Sequence, residues 1–167
     1  CIRDRSKALI MTIGLPGDQG GDVLDALILD FRAVEPEYLA LIASTQSLPN
    51  ARRMIGRTGL DQGRSEIVEL ENATNLDEIF LKIILLIRRL AMKGYNSEQI
   101  AINYTAGTKV MGSGTVLSAV YNRIHELRYI TGMNAIGEGN RMPRHRILST
   151  RPGAVTMPTC YPAGNTH

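Results

Sequence analysis

Short apolar runs alternate along this chain with stretches in which apolar residues recur at helical spacing. Continuous apolar runs predict buried strands, because such strands have both faces covered; they are residues 8–14, 38–44 and 100–105. A further run at 66–70 alternates apolar and polar residues, which favours a half-exposed or edge strand. Helical spacing is found in four stretches, residues 22–32, 52–59, 76–93 and 108–124.

This order of elements predicts an α/β fold with a Rossmann-like, doubly wound, mainly parallel sheet and helices on both faces. Parallel strands require crossover connections, and helices supply them. Residues 127–131 and 144–150 are further strand candidates, for a hairpin or an antiparallel edge. Residues 151–167 contain three prolines and two glycines and are predicted to form a linker or C-terminal arm. The domain itself would therefore cover residues 1–150.

Several residues are predicted to have structural roles. Asn75 and Glu78 match a capping box at the start of the long helix. Gly112, Ser113 and Gly114 are expected to let the last helix pack closely on the sheet. Three methionines with apolar neighbours are expected in the core: Met54, Met92 and Met111.

Composition mainly excludes classes of protein. The chain is 44% hydrophobic and 21% charged with a net charge of +3, which excludes disordered, collagen-like and disulfide-rich proteins. No apolar stretch approaches the ~18 residues of a membrane-spanning helix, and no signal-peptide pattern opens the chain. We therefore expect a cytoplasmic protein without a membrane partner.

The usual motifs of metal and nucleotide chemistry are missing from the sequence. Its two cysteines lie at opposite ends and its three histidines do not cluster, so neither a metal nor a cofactor is predicted. No G-x-x-x-x-G-K-[ST], strand-linked G-x-G-x-x-G or G-x-S-x-G pattern occurs. These absences disfavour a P-loop ATPase, a nicotinamide dehydrogenase and a hydrolase with a nucleophile elbow.

Residues 103–111, Asn-Tyr-Thr-Ala-Gly-Thr-Lys-Val-Met, lie where a predicted strand ends and a helix begins. The N–H groups at a helix start favour phosphate, and Thr105 and Thr108 add hydroxyl groups. Lys109 would lie in the first turn, where a cation opposes the helix dipole unless an anion neutralises it. An ordinary exposed lysine after a glycine-containing turn has the same spacing, so both interpretations remain open.

The same nine residues resemble the N-x-T-G-G-T-K-x-M signature of CARF (CRISPR-associated Rossmann-fold) domains, with Ala106 in place of the first glycine. The order of elements over about residues 8–150 is also similar. The resemblance implies a homodimer whose shared cleft senses a cyclic oligoadenylate, a tetra- or hexa-adenylate, in type III CRISPR antiviral defence. It also implies an effector that ligand binding regulates, which could be a fused or trimmed effector domain or a separate chain.

The ligand would contact loops that follow four strands. In the loops after the second and third strands, hydroxyl and amide groups could equally cap the next helix. The predicted ligand-binding residues are Gly14, Leu15, Pro16, Gly17, Asp18, Gln19, Ser44, Thr45, Asn72, Thr105, Ala106, Gly107, Thr108, Lys109 and Met111.

We consider three functions. The leading hypothesis is a pure sensor. The second is a metal-independent ring nuclease, in which a ribose 2′-hydroxyl attacks the neighbouring phosphate and Lys109 stabilises the phosphoryl charge. The third is an unrelated Rossmann-like nucleotide-binding enzyme. Sensing is favoured because the loops contain no histidine or carboxylate pair placed for proton transfer. No helix-turn-helix follows the Rossmann-like part, so direct DNA binding is not expected.

Overall fold

Residues 6–15, 22–131 and 146–150 are described by the computed structural model. Within them the strands are β1 (Ala8–Ile13), β2 (Tyr38–Ser44), β3 (Ser65–Leu70), β4 (Ile100–Asn103), β5 (Glu126–Thr131) and β6 (Arg146–Ser149). The helices are α1 (Asp22–Val34), α2 (Leu48–Thr58), α3 (Leu76–Met92) and α4 (Lys109–Tyr121). Short 3-10 turns cover Thr45–Ser47, Gln62–Arg64 and Ser97–Gln99.

The strands form one sheet in the order β3-β2-β1-β4-β5-β6. β1 to β5 pair in parallel, and β6 pairs antiparallel with β5, with Tyr129 opposite Leu148. The α/β, mainly parallel architecture predicted from the sequence is therefore confirmed, and so is the antiparallel edge. The tail 151–167 lies outside the described residues.

Each face of the sheet is covered by two helices. Ala8 and Ile10 of β1 pack in one apolar cluster with α3 and α4, and Leu9, Met11 and Ile13 pack in the other with α1 and α2. All six β1 residues are buried, as the continuous apolar run predicts for a strand between two helical layers. Within the described residues, no helix is long and apolar enough to span a bilayer.

Two structural predictions were wrong. Met92 is 88% exposed, because it lies in the last turn of α3 on the side away from the sheet. Gly114 packs on α3 rather than on the sheet, since a Cβ atom there would lie 2.6 Å from Cγ2 of Ile79. The glycine sets the approach of the two helices.

The start of α3 is capped in a different way from the predicted box. The Asn75 side chain accepts from the N–H of Glu78, as expected. The Glu78 carboxylate, however, accepts from the N–H groups of Glu71 and Asn72 at 2.7 and 3.0 Å. It therefore holds the loop before the helix as well as the helix start.

Candidate functional site at the carboxyl edge of the sheet

The carboxyl ends of β1 and β4 form the topological switch point of the sheet. These strands are neighbours, but the chain leaves β1 towards the face of α1 and α2 and leaves β4 towards the face of α3 and α4. Connections that diverge in this way open a crevice, and ligands of open α/β sheets bind there. The signature segment 103–111 follows β4 and thus lies at this crevice.

Gly14 and Gly107 bring the two loops of the switch point into contact. A Cβ atom on Gly14 would lie 2.8 Å from the backbone nitrogen of Gly107, which leaves no space for a side chain. Gly107 has a φ of +96°, a conformation that residues with a side chain rarely adopt. Asn50 of α2 fixes the same contact by donating from Nδ2 to the Gly14 carbonyl at 3.1 Å.

Thr108 caps α4 and links the signature to a third loop. Its Oγ1 accepts from the N–H of Met111 at 3.1 Å and donates to the carbonyl of Ala73 at 2.7 Å. The start of α4 is therefore attached to the loop between β3 and α3. This hydroxyl has a structural role in addition to the predicted ligand contact.

Lys109 is the first residue of α4, and its side chain is exposed. In the described ranges it forms no ion pair. The first N–H groups of a helix have no intrahelical acceptor, and the Thr108 side chain accepts only from the third of them, Met111. A positive charge thus lies beside N–H groups that point out of the helix, an arrangement that suits an anion.

Asn103 and Thr105 shape the turn between β4 and α4. Asn103 Oδ1 accepts from the N–H of Thr105 at 2.9 Å, which ends β4 two residues earlier than the apolar run predicted. Thr105 Oγ1 accepts from the N–H of Ile130 at 2.9 Å. The backbone N–H of Tyr104 still donates to the Arg128 carbonyl at 3.2 Å, so pairing with β5 continues one residue past the strand. At Thr105 the side chain takes over this pairing, while the backbone turns towards α4.

A buried polar network lies directly beneath this turn. Asn103 donates from Nδ2 to Asp30 Oδ2 at 2.6 Å, and Asp30 is fully buried in α1. Arg128 donates from Nε and Nη2 to Asp30 Oδ1 at 2.8 and 2.6 Å, and from Nη1 to Glu126 Oε1 at 2.6 Å. Ser6 donates to the other oxygen of Glu126.

The network keeps Arg128 charged. Burial lowers the pKa of its guanidinium, but the hydrogen bonds and charges of Asp30 and Glu126 outweigh burial and raise that pKa above its ordinary value. A buried charge is tolerated when it is paired and hydrogen-bonded in this way.

The loop after β2 contains hydroxyl groups that are already engaged. The N–H of Ser44 donates to Ser47 Oγ at 2.9 Å. Thr45 Oγ1 donates to Glu69 Oε1 at 2.8 Å, so a carboxylate at the end of β3 lies next to a predicted ligand-binding residue. These contacts fix the loop at the same edge of the sheet.

The loop after β3 is organised by Asn72 and Glu78. Asn72 Oδ1 accepts from the N–H and the hydroxyl of Thr74, at 2.9 and 2.7 Å. Burial raises the pKa of Glu78, but a hydrogen bond from Lys82 and the N–H groups of Glu71 and Asn72 lower it below its ordinary value. Through its two contacts with Thr74, the side-chain oxygen of Asn72 stabilises this turn.

The structure brings together most of the predicted site and leaves part of it inside the core. Leu15 is exposed at the edge, whereas Ala106 and Met111 are buried, and the Met111 side chain packs beneath Gly107. At 106 and 111, the side chains therefore serve packing. Four predicted contacts lie outside the described residues: Pro16, Gly17, Asp18 and Gln19.

Sequence reasoning missed four residues that support the site. No motif identifies them, since each is a single polar residue in an otherwise apolar or exposed segment. Only burial indicates the role of Asp30, Asn50 and Arg128, and only its contact with Thr45 indicates that of Glu69. In the described ranges, no group of three His, Cys, Asp or Glu side chains could hold a metal ion.

Comparison with known proteins identifies the fold. No protein-family model matches the sequence, and no curated protein matches it by sequence. Among solved structures, protein VC1899 from Vibrio cholerae matches with a TM-score of 0.62 and 15% identity, over 91% of this chain and 36% of that chain. Can2 from Sulfobacillus thermosulfidooxidans, in complex with cyclic tetra-adenylate, matches with 0.57 and 16%, over 86% and 35%.

A type III CRISPR defence DNA nuclease activated by cyclic oligoadenylate also matches, with a TM-score of 0.56 and 15% identity, over 86% of this chain. At such identities the likeness shows a common fold, and the resemblance to CARF domains is confirmed at that level. This chain spans only 19% to 36% of the length of the three proteins.

Proposed function

We propose that this domain binds a cyclic oligoadenylate at the carboxyl edge of its sheet and acts as a sensor of that messenger. The observation that carries the proposal is Lys109, an exposed cation at the first position of α4 with no ion pair in the described part of the chain. A cation there opposes the helix dipole unless an anion lies beside it. Phosphates of a nucleotide ring supply such anions and accept from the N–H groups at the same helix start.

Two proteins with this fold support the ligand class. Can2 was solved in complex with cyclic tetra-adenylate, and the DNA nuclease is activated by cyclic oligoadenylate. In this chain the signature lies at the switch point, where open α/β sheets bind their ligands. Synthetic cyclic oligoadenylates of different ring sizes are therefore the ligands to test.

A two-fold dimer would complete the site, because one helix start can reach only part of a ring. A ring of four or six identical nucleotides can have two-fold symmetry, which an isologous dimer matches. The exposed stripe of α4 begins with Lys109 and Ser113 and continues with apolar side chains. Leu117, Val120 and Tyr121 are 50%, 67% and 64% exposed.

Packing this stripe against the same stripe of a second copy, with the two α4 helices parallel, would place both Lys109 side chains at one end of the pair. That arrangement joins two half-sites into one cleft for the ring. Ring binding would then alter the geometry of the pair and regulate an effector domain or protein. The DNA nuclease is a precedent for such regulation, because cyclic oligoadenylate activates it.

The direct test is incubation of the protein with synthetic rings of three, four and six adenylates. Calorimetry measures binding, and mass spectrometry of the mixture measures the fate of the ring. A sensor binds one ring size and leaves it intact over hours, and the ring raises the melting temperature as its concentration rises. Absence of binding to every ring would contradict the proposal.

The same experiment separates sensing from ring cleavage. A ring nuclease would accumulate linear product with a 2′,3′-cyclic phosphate end, including in excess chelator. We favour sensing because two carboxylates that contact predicted ligand-binding residues, Glu69 at Thr45 and Glu78 at Asn72, have no histidine partner among the described residues. Chelator-resistant turnover that Lys109→Ala abolishes would reverse this preference.

A further inference from the structure

The amide of Asn103, the first residue of the signature, is held at both ends. Its Nδ2 donates to Asp30, and its Oδ1 accepts from the N–H of Thr105. Asn103 and Asp30 are both fully buried. The amide therefore has one usable orientation, because turning it over would set its NH₂ group against the Thr105 N–H and its oxygen against a carboxylate.

Asp30 decides which orientation that is. A carboxylate only accepts hydrogen bonds, so it selects the NH₂ end of Asn103 and leaves the oxygen for the turn. Arg128 donates twice to the other oxygen of Asp30, at 2.8 and 2.6 Å, and so holds the carboxylate in place. The Thr105 N–H thus finds its acceptor through a chain of contacts that begins in α1.

We infer that Asp30 is a positioning residue of the candidate site: it sets the turn at 104–108, and with it Lys109 and the start of α4, without touching the ligand. The inference deepens the proposed function and rests on it for its binding readout. Its structural readout, the protection of the Thr105 N–H from hydrogen exchange, needs no ligand.

The test exchanges the two polar ends of the contact. In Asp30→Asn the two donors of Arg128 hold the oxygen of the new amide, so its NH₂ group faces the NH₂ group of Asn103. Asn103 then turns its oxygen towards position 30, and the Thr105 N–H loses its acceptor. In the double variant Asp30→Asn/Asn103→Asp, the new amide donates to the new carboxylate, whose second oxygen again accepts from Thr105. The control is Asp25→Asn, which removes a carboxylate of the same helix that pairs with Arg57 at the surface.

We expect Asp30→Asn to weaken ring binding by about tenfold to a hundredfold, the range for loss of a hydrogen bond to a charged group. Thr105 N–H protection should fall with it. The double variant should regain the protection and most of the affinity. It should remain less stable than the unmodified protein, because Arg128 then faces an amide at position 30. Asp25→Asn should change neither binding nor protection.

A purely structural role would make affinity and stability fall and recover together, whereas positioning predicts recovery of affinity ahead of stability. Unchanged affinity in Asp30→Asn would overturn the inference and leave the proposed function intact.

If the unmodified protein binds no ring, the proposed function fails, and Thr105 protection alone decides the inference. If Asp30→Asn does not fold, the double variant decides: a folded protein with Thr105 protected supports the inference, and an unfolded or unprotected one overturns it.

Discussion

At the scale of single residues, most side chains of the signature stabilise the loops, and one, Lys109, is available to bind an anion. Thr105 and Thr108 have hydroxyls with protein partners, and Ala106 and Met111 are buried. Lys109 differs from all four, because it carries a charge on an exposed side chain and has no ion pair in the described ranges. Ligand affinity should therefore depend on this residue more than on its neighbours.

Replacing Lys109 with alanine should weaken ring binding by about 1.5–3 kcal/mol, as expected for a hydrogen bond to a charged group. Folding should be unaffected or slightly favoured, since removing a cation from a helix start suits the dipole. Calorimetry gives the affinity and thermal unfolding gives the stability. The matched control is Lys93→Ala, because Lys93 lies at the C-terminal end of α3, where its Nζ is 5.2 Å from the centroid of the Tyr38 ring. Equal effects of the two variants would argue against an anion site at Lys109.

At the scale of elements, the packing of α4 on α3 depends on one glycine. A Cβ atom on Gly114 would clash with Ile79, whereas a Cβ atom on Gly112 would have its nearest neighbour at 3.9 Å. Gly114→Ala should therefore destabilise the fold by about 1–3 kcal/mol through overpacking. Gly112→Ala should stabilise it by about 0.5–1 kcal/mol through helix propensity. Denaturant unfolding of the two variants measures both. Similar values would show that Gly114 does not set the helix separation.

A second polar cluster joins β2, β3 and α3 at the amino ends of the two strands and contains Tyr38, Glu66 and Arg89. Tyr38 donates to Glu66 Oε1 at 2.9 Å, and Arg89 donates to Glu66 Oε2 at 2.8 Å. Burial, followed by the hydrogen bond and charge of Glu66, raises the pKa of Tyr38 from 10.0 to about 12. A raised pKa stabilises the fold fully below the unfolded value, and this stabilisation is lost as pH rises through the folded value.

The free energy of unfolding should therefore contain a term that falls between pH 10 and about 12 because of Tyr38. Tyr38→Phe should remove this term from the pH profile, and Tyr121→Phe, at an exposed position, should not. Denaturant unfolding at several alkaline pH values tests the difference. A profile of Tyr38→Phe parallel to that of the unmodified protein would contradict it.

The spacing of apolar residues located the helices and strands, because the face that an element buries is visible within its own short segment of sequence. It failed at Met92, where apolar neighbours in sequence do not share the buried face of α3. The signature located the loop after β4, but the side chain of its first residue, Asn103, is held by Asp30 on α1, which Arg128 on β5 holds in turn. Asp30 and Arg128 could not be assigned to the site, since polar residues acquire partners only when the sheet brings distant segments together.

At the scale of the whole molecule, the exposed stripe of α4 predicts self-association. Leu117→Glu combined with Val120→Glu should give a monomer, because charges on a buried apolar contact are costly. The matched control is Arg53→Glu on the exposed face of α2, on the other side of the sheet. Light scattering at micromolar concentration measures the mass, and calorimetry should show weaker ring binding in the monomer. A monomeric unmodified protein, with or without ring, would contradict the proposed dimer.

The network beneath the signature turn also determines when, during synthesis of the chain, the domain can begin to bind an anion. Asp30 and Asn103 are 73 positions apart, Asp30 and Arg128 are 98 apart, and Ser6 and Glu126 are 120 apart. Contacts of such long range close late in folding, because the intervening chain must first be ordered. A nascent chain that has emerged from the ribosome as far as Met111 contains every signature residue but lacks β5 and the guanidinium that holds Asp30. Recognition of an anion at Lys109 would therefore begin only after nearly the whole described domain has been synthesised.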